Sequence, residues 1–437
     1  LLDQWDAFLV FAIKQAGGIS NDPQLRQGLF NLLLDSRYRL VMALAHPQSA
    51  GPDPVRLLFI DDWRQLGDLI RAAARHGALG NRSLEFLSFV SAGDALFAFD
   101  QAAPALGISI SADDLRRLAH IMAPRTKENP LAFSFNEDPE LRKMFNVATP
   151  AETLPSPKAS PPASLAVTPA PFATPASSPP NPAMSPHAPI PAPVISSTPT
   201  PTALNSYNEY GIPGFFAWLI EPKDAYAALG PSENATLQEL GNRLSRVVVD
   251  NDNALKYRAD IDRLLELTTM REIGDKDVDA QYQPLYSQLV KAVAWQESCW
   301  RQFVRKRNRV VFLESSTHDV GLMQINKYVW RGFYNIHKLE WDIIYNSDAG
   351  AEILARMLSD VMDKPGAMTP GHPEQLARSA YAAYNGGPDA YRRWRGHESA
   401  GARLIDRSFW AKYQAVERGE KIDILSCSAQ WGKAPGH

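Results

Sequence analysis

Between residues 148 and 204 the chain carries 17 of its 34 prolines, interleaved with Ala, Ser and Thr, and its only formal charges there are Glu152 and Lys158. Such a stretch cannot bury enough apolar surface to offset the entropy of ordering it, and recurrent prolines favour extended polyproline II. It reads as a semi-rigid spacer, with a docking site for a polyproline-binding module as the other reading. The chain then falls into three parts: a domain over 1–147, the linker over 148–204 and a second domain over 205–437. At 45% hydrophobic and 21% charged residues, each folded part can bury a core.

A formal net charge of -3 supplies no global pull toward nucleic acid, so no nucleic-acid partner is expected and an anionic partner must be met by a local patch. The most apolar early stretch, LLDQWDAFLVFAI, is cut by Asp3 and Asp6 and closed by Lys14. It falls far short of the roughly 20 residues that span a bilayer, so no transmembrane helix is expected. The chain does not begin with Met, which reads as a mature or trimmed form that has lost a signal peptide or anchor. Two cysteines, Cys299 and Cys427, permit a disulfide in an oxidising compartment without requiring one.

Helical periodicity recurs before the linker, in residues 29–44, 61–77 and 111–124, without any hairpin signal. Ser111 is the expected N-cap of the last of these, with Asp113 and Asp114 on its positive first turn. This domain is expected to be all-α. His46, His76 and His120 are too far apart for a helix-borne metal site, and the Phe-rich stretch 86–99 reads as core. A domain on a long spacer is commonly an adaptor, so residues 1–147 are a candidate docking module for a partner the sequence does not name.

Beyond the linker, Leu285, Leu289, Val293 and Glu297 form an i, i+4, i+8, i+12 series, widened by Val290 and Ala294. Glu297 therefore continues a core-facing row at a helix C-terminus. Desolvation and the negative end of the helix dipole both raise a carboxyl pKa there, which suits a general acid. The alternative is a buried structural pair with Arg301. Two further stretches stand out. Residues 319–326, DVGLMQIN, place a glycine where a ligand or second backbone can approach, and residues 380–388, AYAAYNGGP, end a helix on a strong stop signal.

Glu297-Ser298-Cys299-Trp300, Gly321-Leu322-Met323-Gln324-Ile325 and Ala383-Tyr384-Asn385-Gly386-Gly387 together resemble the signature of the soluble lytic transglycosylase catalytic domain. The motifs of that family run E-S-x-[FW], G-L-M-Q and A-Y-N-x-G. The likeness covers roughly residues 278–395, and the helix opening at 345–358 is similar to the family's segment between its second and third motifs. The resemblance implies a lysozyme-like, mainly α domain that cleaves the MurNAc-β-1,4-GlcNAc bond of peptidoglycan without metal or other cofactor. By the same resemblance, Glu297 protonates the glycosidic oxygen and then, as carboxylate, takes the proton of the C6 hydroxyl, leaving a 1,6-anhydromuramyl end. Tyr384 is expected to orient Glu297, and Ser298 to support the carboxylate or meet an N-acetyl group. Gly321, Leu322, Met323, Gln324, Asn326, Tyr381, Asn385 and Trp300 are expected at the sugar subsites.

Here 24 residues separate Glu297 from Gly321, more than the family commonly has, so an extra loop or hairpin is expected to border the cleft. It holds the densest basic run, Arg305, Lys306, Arg307 and Arg309, read either as a solvated face or as a contact for peptidoglycan carboxylates. Asp319, and less directly Glu314, keeps open a water-activating muramidase of the goose-type lysozyme kind. A non-catalytic peptidoglycan-binding scaffold is the remaining rival. The expected setting is the periplasm or cell envelope, with residues 1–147 free to engage a cell-envelope or secretion-apparatus protein. A Cys299–Cys427 bridge would pin the C-terminal tail to the catalytic helix.

Overall fold

A computed structural model of the chain describes residues 2–45, 54–102, 110–123, 129–131, 137–147, 229–276, 278, 280–369, 372–396 and 400–430. The linker lies outside the described residues. The fold is mainly helical, with two small antiparallel hairpins. Among the described residues no helix is long and apolar enough to cross a membrane.

The N-terminal part is built from α1 (Leu2–Ile19), α2 (Pro23–Ala45), α3 (Pro54–Arg75), α4 (Ser83–Ala102), α5 (Ala112–Met122) and α6 (Pro139–Met144). Trp5, Phe8, Trp63, Phe89 and Phe97 stack into one aromatic cluster, with the Trp63 and Phe97 rings 5.3 Å apart, and so bury the apolar stripes of α1, α3 and α4. Ser111 caps α5 as expected. Its hydroxyl accepts from Asp114 N while the Asp114 carboxylate accepts from Ser111 N, a reciprocal box that satisfies two otherwise orphan donors.

The C-terminal part contains α7 (Pro231–Leu244), α8 (Ala254–Lys276), α9 (Gln283–Ser298), the hairpins β1–β2 (Phe303–Lys306, Arg309–Phe312) and β3–β4 (Asp319–Val320, Ile325–Asn326), then α10 (Ile336–Trp341), α11 (Ile343–Met362), α12 (Glu374–Gly386), α13 (Ala400–Glu417) and α14 (Ile424–Gln430). The β1–β2 turn is Arg307-Asn308, both at positive φ, the conformation that matches the twist of a two-residue hairpin.

The two parts, expected as separate domains, pack as one compact unit formed by Leu1–Glu152 and Ser206–His437. The seam between them is polar at its centre. The buried Arg37 guanidinium of α2 donates to Asp6 Oδ1 (2.8 Å) and to the carbonyls of Val329 (3.0 Å) and Arg331 (2.9 Å), and Arg331 in turn pairs with Asp6 Oδ2 at 2.9 Å. Burial pushes the Asp6 carboxyl up, but the two guanidinium charges outweigh it and hold it below the usual carboxylate range. Around this centre Phe30 packs on Trp330 and Phe333, Arg356 donates to Phe145 O (2.8 Å), and Asp138 N donates to Gly332 O (2.7 Å). These directional bonds join the two parts in a fixed register.

Two outcomes follow from that seam. Arg37→Met strands the Asp6 carboxylate beside one remaining cation and should cost about 3–5 kcal/mol in denaturant unfolding, the usual penalty for breaking a buried pair. Proteolytic nicking within residues 153–205 should leave the flanking fragments co-eluting in gel filtration; separation of the fragments would contradict the seam.

Candidate active site

Glu297 stands on the last turn of α9. Pro284 sits in that helix's first turn, where a missing N–H costs nothing, and Leu289 and Val293 are buried along the predicted row. The helix stops at Cys299 and Trp300, both left-handed (φ 54° and 59°), at about 1–2 kcal/mol each for residues with a Cβ. Several contacts hold this stop. Trp300 N donates to Ala294 O (3.3 Å), the Tyr257 hydroxyl to Trp300 O (3.0 Å), and Cys299 is disulfide-bonded to Cys427 across 128 residues. The carboxyl group is thereby fixed at the rim of a helix end, 6% exposed.

Gly321, Leu322, Met323 and Gln324 form the turn between β3 and β4. Two buried amides clamp it. Gln302 Oε1 accepts from Leu322 N (2.7 Å), and Asn346 accepts from Met323 N (2.8 Å) while donating to the carbonyls of Val320 (3.0 Å) and Leu339 (2.9 Å). Gly321 has φ +77°, and a Cβ there would run into the side chains of both Asn346 and Gln302, so the motif needs glycine on two counts. Neither Gln302 nor Asn346 was expected at the site. Asn346 lies in the 345–358 segment that the sequence marks, but Gln302 leaves no local signal.

The third motif ends α12. Gly387, at φ +94°, packs so closely on α2 that a Cβ would meet Asp35 Oδ1 at 2.9 Å. Asp35 Oδ1 accepts from Asp389 N (3.1 Å), and the Tyr38 hydroxyl donates to Tyr384 O (2.7 Å). The N-terminal part thus grips the motif that follows Tyr384.

These elements border an open cleft of about 120 Å³. Glu297, Asp319, Gln324, Asn326, Tyr381, Tyr384 and Asn385 line it, together with Gln296, Thr317, Ile325 and Trp330. Ile405 of α13 and Tyr38, Val41 and Met42 of α2 complete the lining, and none of these four was anticipated. Their only sequence signal is an apolar stripe on a helix, which equally describes core.

Burial raises the Glu297 carboxyl to about 7; the Tyr381 hydroxyl facing it pulls the other way, the Asp319 charge adds to the rise, and Lys412 and Arg393 of the neighbouring elements offset part of it. Lys412 itself is pushed down to about 8 by burial, and its Nζ donates to Gln296 Oε1 at 2.9 Å. Arg301, the alternative partner, directs its Nε to Ser298 O at 3.0 Å.

Several expected roles change. The Tyr384 hydroxyl gives its single proton to Met323 O (2.6 Å), so toward Glu297 it can only accept; the hydroxyl facing the carboxyl is that of Tyr381. Ser298 is fully buried, and its hydroxyl bonds Ala294 O (3.0 Å) and Leu322 O (2.6 Å), tying the helix end to the β3–β4 turn rather than meeting a sugar. Trp300 is buried with its indole N–H on Lys291 O (3.0 Å), and Gly321, Leu322 and Met323 are packed inside, so these four shape the cleft wall from behind. Gln324, by contrast, donates Nε2 to Gly321 O (2.8 Å) and keeps a buried Oε1 without a hydrogen-bond partner at the cleft wall. The insertion before Gly321 borders the cleft through Thr317 and Asp319, while Lys306, Arg307 and Arg309 of its basic run line a separate hollow with Val311.

Residues 278–405 match the family model of the transglycosylase SLT domain. The chain carries an SLT domain. At the level of the family, such a domain supports lytic transglycosylase activity on peptidoglycan. No curated protein and no solved structure matches the chain. The SLT match begins well after α2, so the Tyr38–Met42 wall is an addition from outside the SLT segment.

The Glu297 proton affinity makes a signed prediction. With a folded pKa of about 7 against an ordinary 4.5, the native state holds the proton more tightly, so stability is full below pH 4.5 and falls as pH rises through 7. Glu297→Gln removes that loss. It should be more stable than the wild type above pH 7 by on the order of 3 kcal/mol and equal to it at pH 4 in thermal or urea unfolding. Asn346→Leu should cost about 1–3 kcal/mol for each backbone group it strands, and should abolish activity while leaving the helical CD signal.

Proposed function

We propose that this protein is a peptidoglycan lytic transglycosylase that cleaves the MurNAc-β-1,4-GlcNAc bond and releases 1,6-anhydromuramyl ends, with Glu297 as general acid and then general base. The observation that carries the reading is one carboxyl group, raised to about 7 by burial, on the wall of a cleft inside an SLT domain. At that value it is half protonated near neutral pH, so it can donate to the glycosidic oxygen and, once ionised, take back a proton. Lys412 and Arg393 favour the carboxylate form, which helps the second half of the cycle. Tyr381 orients the carboxyl, and Gln324 and Asn385 meet the substrate along the cleft. Asn326, expected there too, spends its amide on the hairpin, donating to Thr317 O (2.7 Å) and Asp319 Oδ1 (2.8 Å) and accepting from Tyr328 N and Val329 N (3.0 Å each). Intramolecular attack by the C6 hydroxyl at C1 requires no activated water, which is why one carboxylate suffices where hydrolysis uses two.

The hydrolytic alternative rests on Asp319, which lines the same cleft. Its carboxylate already accepts from Ser315 Oγ (2.6 Å), Asn326 Nδ2 (2.8 Å) and the Thr317 hydroxyl. Those bonds fix the β3–β4 hairpin and leave little acceptor capacity for a water. Glu314 is taken up by His318 (2.9 Å) and Lys327 (3.0 Å). On this reading the protein works in the periplasm or cell envelope, and a cell-envelope or secretion-apparatus protein is the proposed partner of residues 1–147.

Mass spectrometry of sugars released from purified sacculi tests the reaction. Products one water lighter than reducing muropeptides, lost in Glu297→Gln, are expected; reducing ends would establish hydrolysis instead. The activity should fall as pH rises through about 7, where Glu297 loses its proton, and Asp319→Asn should move that limb to lower pH because it removes a neighbouring negative charge.

A further inference from the structure

We propose that the cleft-facing side of helix α2 is a sugar subsite, in which Val41 and Met42 receive the apolar part of an N-acetylated aminosugar, its acetamido methyl and ring C–H face. The inference deepens the proposed function and rests on that reading for its ligand class. Tyr38, Val41 and Met42 stand at i, i+3 and i+4, so they share one helical face, and all three line the cleft that holds Glu297. Tyr38 is anchored through its hydroxyl to Tyr384 O at 2.7 Å, which fixes how far α2 stands from the third motif. Met42 is 50% exposed and lines the cleft, so its side chain is open to a ligand bound there. Its unbranched thioether adapts to an irregular ligand.

Across the same cleft lies a complementary polar group. Gln324 of the second motif lines the same cleft at 6% exposure, held there by its Nε2 donating to Gly321 O at 2.8 Å. The cleft thus joins the amide-bearing side chains Gln324 and Asn385 to an apolar lip from α2 and Ile405, and that lip fits a methyl. A 2-acetamido sugar carries an amide and a methyl in one substituent. A plain hexose lacks the methyl. The subsite would thus be assembled from segments on both sides of the linker, and the SLT segment alone would lack one wall.

The test is a binding measurement that does not depend on bond cleavage. In full-length protein carrying Glu297→Gln, the affinity for a chitin tetrasaccharide is measured by calorimetry, with glucose tetrasaccharide as the sugar lacking acetamido groups. Adding Val41→Asn and Met42→Asp should weaken binding of the chitin oligosaccharide by about tenfold or more. Leu44→Ala, an exposed apolar change on the same helix outside the cleft lining, should leave it unchanged. Unaltered thermal unfolding of the Val41/Met42 variant separates lost contact from lost fold; if that variant unfolds early, Met42→Ala alone should still weaken binding. Equal affinity in the α2 variants, equal binding of the two tetrasaccharides, or no chitin binding at all would overturn the subsite. Reducing ends from wild-type protein on sacculi would overturn the transglycosylase reaction while leaving this result standing.

Discussion

Burial of Glu297 at the end of its helix raises the proton affinity of its carboxyl, and the surrounding elements are what bury it. A carboxyl group at a helix end is ordinarily well hydrated. Here the helix stops abruptly at two left-handed residues, a disulfide secures the stop, and the β3–β4 turn closes one flank. The remaining flank is closed by α2, from the other side of the linker. The buried Asp6–Arg37–Arg331 cluster ties α2 to the segment that follows the β3–β4 hairpin, so a polar seam with no part in the chemistry helps to place one wall of the cleft.

The motif residues divide the labour differently from the order in which they appear. Ser298, Leu322, Met323 and Tyr384 bond or pack on one another and so join the three motifs into one frame. Gln302 and Asn346 extend that frame by satisfying the backbone of the β3–β4 turn. The motif residues that line the cleft include Glu297, Gln324, Ile325, Tyr384 and Asn385, with Tyr381 one turn before the third motif. Positioning by buried hydrogen bonds is rigid, because any displaced partner would leave an unsatisfied polar group.

Composition identifies the Pro-rich stretch as a linker, but whether the parts it joins pack on each other is set elsewhere: segments from both sides of it contribute to one compact unit. Proximity in sequence is as weak a guide for the basic run, since Lys306, Arg307 and Arg309 line a hollow of their own.

By itself the sequence determined the helical class, the buried row that ends in Glu297, the three motifs and the need for glycine at Gly321, because each is set by local periodicity or local sterics. The Ser111 capping box was legible for the same reason. The tertiary structure alone decided that Tyr381 rather than Tyr384 faces the acid with its hydroxyl, that Ser298 and Trp300 lie behind the wall, and that α2 supplies part of the cleft. Which hydroxyl points where, and which distant helix covers a carboxylate, depends on packing between segments hundreds of residues apart, and no spacing along the chain encodes that distance.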